Sequence, residues 1–259
     1  MKVDKERLEN TQPSHFTYLT ENGRILEYYA FFPSVAPKGC VVCIHGGGWT
    51  SDSAKRLFPQ AAFFAEQGAV GISIEYRLNG ENTDVRNGLY DCISAVKAIR
   101  EMLLQRYGKV LPLVTLGDSA GGYYAVCLGN ETITKRVDAD AQIVDFVVDL
   151  NGIVDLTQKW SYGLLNASQD DLRAYSPVFN VSKQDAPTLI MHGDQDKTVA
   201  LEDAQRYNDA LKAKGVACDF EILSGAAHAF ILFDYRHDNA YVGDILAWIC
   251  DYLKGKQYI

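Results

Sequence analysis

The sequence predicts an α/β fold: a mostly parallel central sheet with an N-terminal antiparallel hairpin and helices on both faces. Three observations carry that expectation. Short apolar runs alternate with longer stretches of helical period along the whole chain. Most of those runs are apolar at consecutive positions, as in strands covered on both sides. The one strong hairpin signal, Asn22-Gly23 between two strand-like runs, sits near the N-terminus.

In order, "HFTYLT" (15–20) and "RILEYYAFFP" (24–33) read as the two hairpin strands. "CVVCIHG" (40–46) reads as a buried strand, and "DSAKRLFPQAAFFAEQG" (52–68) as a helix ending at a glycine. "AVGISIEYRL" (69–78) is the next strand. Over 84–108, Val85, Leu89, Ile93, Val96 and Leu103 share one helical face, and Gly108 closes the helix. "VLPLVTLG" (110–117) reads as a strand whose Pro112 lies near its start, where a missing amide is tolerated. A helix then begins at Ser119. "QIVDFVVDLNG" (142–152), "PTLIMHG" (187–193) and "CDFEILSG" (218–225) are three further strand candidates, with helices over 200–215 and 241–255. The one long irregular stretch, about 155–186, is expected to be a small lid-like insertion in a single domain spanning 1–259.

Composition narrows the function classes. A formal charge of −8 argues against an electrostatic grip on nucleic acid or an anionic membrane. No stretch approaches the ~20 apolar residues of a membrane span. The charged start "MKVDKERLENTQPSHF" lacks the apolar core of a secretory signal, so a cytoplasmic location is expected. Cys40 and Cys43 form a C-x-x-C, yet residues three apart on a strand face opposite ways, so a disulfide or shared metal is not expected. All six cysteines are read as free thiols. The histidines His15, His45, His192 and His237 show no metal-ligand spacing; neither a metal nor a cofactor is implied. Oligomeric state has no signature here.

The chemistry is concentrated in four short motifs. "LGDSAGGYYAV" (116–126) places Ser119 between glycines at a strand-to-helix junction. Gly-x-Ser-x-Gly alone arises by chance in about one chain in ten of this length. The strand before it and the helix after it make the stronger case: that is the setting of a nucleophile elbow, where Gly117 and Gly121 let the backbones approach. "HGGGW" (45–49) follows another strand, and its consecutive glycines suit an oxyanion hole formed by the amides of Gly47, Gly48 and Ala120. A serine hydroxyl needs a base, and a base histidine needs an acid to orient it. "MHGDQDKTV" (191–199) offers Asp194 and Asp196 after one strand; "LSGAAHAF" (223–230) offers His228 after the next. The chain order Ser, Asp, His fits this kind of site, with all three on loops at strand carboxyl ends.

Together "HGGGW", "GDSAGG", "HGDQDKTV" and "GAAHAF" resemble the α/β-hydrolase superfamily. The set is most similar to the small esterase and lipase group that includes hormone-sensitive-lipase-like proteins and carbohydrate-acting feruloyl and acetyl esterases. "IEYRL" (74–78) and the run into the acid loop also resemble that group, and the resemblance spans about 25–253. It implies the α/β-hydrolase fold, Asp196 rather than Asp194 as triad acid, and no cofactor. The short charged lead, where hormone-sensitive-lipase-like proteins carry a helical cap, favours the capless group and an open acyl site.

The expected activity is therefore hydrolysis of a small-molecule carboxylic ester, of small or aromatic acyl type, through an acyl-serine, with carbohydrates among the alcohols. The alternatives are an arylformamidase, a serine peptidase of the prolyl-oligopeptidase kind, or a hydrolase-fold binding or receptor protein. Trp49, Tyr123, Trp160 and Phe230 are candidate substrate contacts; Tyr124, Tyr162 and Tyr175 also lie near the predicted loops. Aromatics there either stack on a sugar or phenolic group or belong to the core, and the sequence leaves both readings open.

Overall fold

The computed structural model describes residues 3–20, 23–80, 84–158 and 168–259. Its frame is one eight-stranded sheet built from β1 (Ser14–Leu19), β2 (Ile25–Phe31), β3 (Cys40–Ile44), β4 (Val70–Ile74), β5 (Leu113–Asp118), β6 (Phe146–Leu150), β7 (Thr188–Gly193) and β8 (Cys218–Leu223). The strand order is β1-β2-β4-β3-β5-β6-β7-β8. β1, β2 and β4 pair antiparallel, and every pairing from β4 to β8 is parallel. The hairpin closes as expected, with the Thr20 amide donating to Arg24 O and Gly23 in the left-handed region at φ +78°; Asn22 lies outside the described residues.

The helices are α1 (Lys5–Asn10), α2 (Phe58–Glu66), α3 (Val85–Tyr107), α4 (Ala120–Gly129), α5 (Glu131–Val137), α6 (Gln169–Ala174), α7 (Leu201–Ala213) and α8 (Asn239–Gly255). Two apolar cores form, one on each sheet face. α3, α4 and α7 cover one; α1, α2 and α8 cover the other. Strand β3 shows why its sequence is apolar throughout: Cys40, Val42 and Ile44 enter the first core, Val41 and Cys43 the second. Cys40 and Cys43 thus point to opposite faces, and all six cysteines are free.

Several boundaries shift for identifiable reasons. The helix expected over 52–68 starts as a 3₁₀ turn at Ala54–Leu57, and Pro59 sits in the first turn of α2. Pro112 falls just before β5 and contributes only its carbonyl, which accepts from the Cys40 amide. The strand expected over 69–78 leaves the sheet after Ile74. Three short helices lay outside the sequence reading: α1, α5 and α6, the last capped by Ser168, which accepts from the Asp171 amide. α1 is capped by Asp4, which accepts from the Arg7 amide, and is anchored by buried Leu8; Arg7 reaches Glu66 and Lys5 reaches Asp234. α5 is capped by Asn130, which accepts from the Ile133 amide.

The described parts of the 155–186 insertion pack onto the first core through Leu172 and Tyr175, with Ser176 Oγ accepting from the Leu156 amide. Residues 159–167, including Trp160 and Tyr162, lie outside the described residues. No helix among the described residues is long and apolar enough to cross a membrane.

A buried ion pair ties the segment after β4 to α3. The Arg77 guanidinium donates through Nε and Nη2 to both oxygens of Asp91, whose Oδ2 also accepts the Arg77 amide. Asp91 is fully buried. Asp91→Ala would leave the guanidinium uncompensated, and we expect a loss of about 3–5 kcal/mol in unfolding free energy, measured by urea denaturation.

Candidate active site

The strand order reverses between β3 and β5, so their carboxyl ends diverge to opposite sides and leave a crevice where open α/β sheets bind ligands. The two glycine-bearing motifs leave the sheet there. Ser119 joins β5 to α4 at φ +54°, ψ −119°, a region L-residues rarely adopt and one that costs ~1–3 kcal/mol. The turn is held by the Ser119 amide donating to Leu150 O and by its carbonyl accepting from the Tyr123 amide. It is also held by close approach. A Cβ on Gly117 would meet Gly121 O at 2.2 Å, and one on Gly121 would meet Ile44 O at 2.0 Å.

Asp196 follows β7 and His228 follows β8. The Ser119 hydroxyl donates to His228 Nε2 at 2.9 Å, and His228 Nδ1 donates to Asp196 Oδ2 at 2.7 Å. Asp196 Oδ1 accepts the amides of Thr198 and Val199. The three residues expected from the motifs therefore stand in one hydrogen-bonded line. Burial alone would raise the Asp196 pKa, but hydrogen bonds from His192, His228 and the Val199 amide outweigh it and hold the carboxyl well below the usual range. Asp194 is placed differently: exposed, its Oδ1 accepts the Gly225 amide and braces the turn after β8.

The "HGGGW" loop borders the same crevice. Gly47 and Gly48 have φ +91° and +59°, and both line the cleft with Ser119 and His228. Their amides, and that of Ala120 at the first position of α4, donate to no protein group among the described residues. The loop is supported from the segment after β4. The Tyr76 hydroxyl donates to the carbonyls of His45 and Gly46, and its ring stacks on His45 at 4.3 Å. Glu75 accepts the Ala54 amide. That is the physical content of "IEYRL": Glu75 and Tyr76 hold the glycine loop, and Arg77 anchors them to α3.

The cleft measures about 370 Å³ and is lined by Gly46–Gly48, Ser51, Asp52, Arg56, Asp118, Ile153, Val199, Ala229, Leu232, Tyr235 and Arg236 besides Ser119, Thr198 and His228. The aromatic substrate contacts are corrected here. Trp49, Tyr123 and Phe230 are each 0 % exposed and none lines the cleft. Trp49, at φ +62°, turns its ring edge-on to Tyr123 in the core under the loop, and Phe230 enters the opposite core. Tyr124 is likewise buried, and Tyr175 nearly so.

Sequence reasoning missed the residues that hold the line in place. Asn151, at φ +44° after β6, accepts the Ala229 amide through Oδ1 and so braces the loop of His228. His192 Nε2 donates to Val199 O and lies 3.4 Å from Asp196 Oδ2. His237 accepts the Ala227 amide. An isolated Asn or His in a loop carries no periodic signal; only the "LNG" and "MHG" strand ends marked these positions.

Comparison with known proteins bears on the family and the fold. The BD-FAE family model matches residues 31–211. Esterase LipC of Mycobacterium tuberculosis is 24% identical over 220 residues, 76% of this chain and 54% of that protein. Neutral cholesterol ester hydrolase 1 of Pongo abelii is 39% identical over 105 residues, 38% of this chain and 25% of that protein. The chain thus spans about half the length of LipC or less of the curated relatives it matches. Among solved structures, native esterase 2 of Thermogutta terrifontis, a Planctomycetes species, has a TM-score of 0.83 at 25% identity, covering 95% of this chain and 93% of that one. Its propionate-bound form scores 0.83 at 25% identity and 95% coverage of both. The fold is that of α/β-hydrolase esterases.

Two buried carboxyls flank the line. Burial raises Asp118, next to Ser119, from 3.8 to about 6, and raises Asp149, on β6, to about 7. In the unfolded chain each loses its proton near pH 4, whereas the folded protein retains the Asp149 proton to about pH 7. Within that window the folded state binds more protons, so stability falls as pH rises. Asn at 149 keeps an oxygen for the Gly152 amide that Asp149 Oδ1 accepts. The Tm of Asp149→Asn relative to wild type is therefore expected to climb between about pH 4 and 7 and to level off above.

Proposed function

The chain belongs to the BD-FAE family, and on that premise we propose that it is a serine hydrolase cleaving carboxylic esters through an acyl-serine. The single observation that carries the reading is the continuous hydrogen-bonded line from Ser119 through His228 to Asp196, beside amides of Gly47, Gly48 and Ala120 that no group among the described residues uses.

In this mechanism Ser119 Oγ attacks the ester carbonyl while His228 Nε2 takes its proton. Asp196 keeps the Nδ1–H tautomer in place and stabilises the imidazolium. The carbonyl oxygen, now negative, accepts from the three amides, and the N-terminus of α4 adds a favourable field. His228 then gives its proton to the departing alcohol. Water repeats the sequence on the acyl-serine, releasing the acid and restoring the hydroxyl. No cofactor takes part. The strained Ser119 backbone has a purpose in this account: it projects the hydroxyl off the sheet toward His228.

Substrate size follows from the cleft. At about 370 Å³ it lies near the small end of ligand pockets, which favours short acyl groups. The similar Thermogutta structure with propionate bound points the same way. Ile153, Val199, Ala229 and Leu232 give the cleft an apolar wall suited to short aliphatic acyl groups, and besides the His228 imidazole Tyr235 is the one aromatic ring lining it among the described residues.

With 4-nitrophenyl acetate as substrate, Ser119→Ala is expected to lower kcat about 10⁶-fold while the far-UV spectrum and Tm stay near wild type. A rate near that of wild type would dismiss Ser119 as nucleophile. Asp196→Asn should cost about 10⁴-fold, because the amide favours the wrong tautomer of His228. Asp194→Asn, at a side chain that accepts from the Gly225 amide and Gln195 Nε2, should stay within about tenfold of wild type; the reverse ranking of the two would reassign the acid.

A further inference from the structure

We propose that the cleft selects esters whose acyl or alcohol half carries a carboxylate, held at the cleft mouth by Arg56 and Arg236. This specificity rests on the ester-hydrolase reading above and deepens it.

The chain as a whole carries a net charge of −8, so its general field repels anions. Yet two guanidinium groups line the same cavity as Ser119 and His228. They flank one ring: Arg56 lies 5.5 Å and Arg236 4.9 Å from the centroid of Tyr235, which is 49% exposed. Among the described residues, neither guanidinium has a carboxylate within hydrogen-bond distance. Arg56 faces Asp52 at 3.6 Å, beyond hydrogen-bond reach, and its buried Nε has no partner. Arg236 donates only to the Tyr235 hydroxyl, at 3.3 Å, and joins no ion pair among the described residues.

The acids that share the cavity do not cancel this. Asp52 offers one carboxylate against two cations. Asp118 is buried beside Ser119 at the floor, 2 % exposed, rather than at the mouth. The apolar side chains Leu232, Ala229, Val199 and Ile153 line the same cavity. One cavity thus brings together the reacting hydroxyl, an apolar wall and two guanidinium groups. A carboxylate matches the planar fork of such donors, and charge-assisted bonds of this kind are about twice as strong as neutral ones. A four-carbon hemiester, or the acetyl ester of a hydroxy acid, carries both a cleavable ester and such a carboxylate.

The test compares two matched pairs by acid release: monomethyl succinate against methyl butyrate, and 4-acetoxybenzoate against its methyl ester. In the wild-type protein at low ionic strength, kcat/KM is expected to favour the charged member of at least one pair by about three- to tenfold. The pair that responds tells whether the carboxylate belongs to the acyl or the alcohol half. That ratio should shrink at about 0.5 M NaCl, as screening requires of a charge contact but not of a shape effect. Arg236→Gln and Arg56→Gln should each lower the ratio at least about threefold, and Arg236→Lys should retain part of it. Hydrolysis of the neutral esters with no preference for charge, or a ratio indifferent to Arg236→Gln, overturns this inference alone. Failure to hydrolyse any of the four esters overturns the ester-hydrolase reading along with it.

Discussion

The backbone crossing at the start of α4 governs the geometry of the whole site. Helix and strands come so close that Gly117 faces Gly121 O and Gly121 faces Ile44 O with no space for a methyl group. This contact sets the distance between the end of β5, which presents Ser119, and the end of β3, which presents the glycine loop. The strained φ of Ser119 follows from the same crossing, because the chain reverses from strand to helix within one residue. Strain of that size persists only where surrounding contacts over-determine the conformation. Here a pair of backbone hydrogen bonds and two packed cores supply them.

Around that crossing the structure places polar support in successive layers. Ser119 meets His228, His228 meets Asp196, and Asp196 is held by two amides and approached by His192. The loop of His228 is held by Asn151, and the glycine loop by Tyr76. The partners come from the carboxyl ends of five strands, β4, β5, β6, β7 and β8, with His192 and Asp196 both at the end of β7. A parallel sheet makes this possible: all its carboxyl ends lie on one edge, so residues far apart in sequence meet without long loops. The antiparallel β1–β2 hairpin takes no part in the line; it extends the sheet beyond β4 and adds to the first core.

The charge arrangement follows the same economy. Buried carboxyls at Asp118 and Asp149 sit beneath the reacting residues, each with its pKa raised by burial, while Asp196 is drawn down by its donors. Carboxyls of one type thus titrate far apart according to their surroundings. Arg56 and Arg236 line the same cleft, both close to the Tyr235 ring, in a chain of net charge −8.

The fold class, the eight strands, the opposed faces of Cys40 and Cys43, and the meeting of Ser119, Asp196 and His228 were all legible in the sequence. Apolar runs and glycine spacing are local signals, and a parallel sheet converts strand-end positions into spatial neighbours with little freedom. The short helices α1, α5 and α6 were not legible, because six or seven residues hold too few apolar positions to show a period. Nor was the fate of Trp49, Tyr123 and Phe230: sequence places a residue beside a loop, but only packing decides whether its ring turns to the cleft or the core. The bracing by Asn151, Tyr76 and His192 and the pairing of Arg56 with Arg236 likewise appeared only in three dimensions. Those contacts join segments from 30 to 180 residues apart or depend on one loop's path, and no local pattern encodes either.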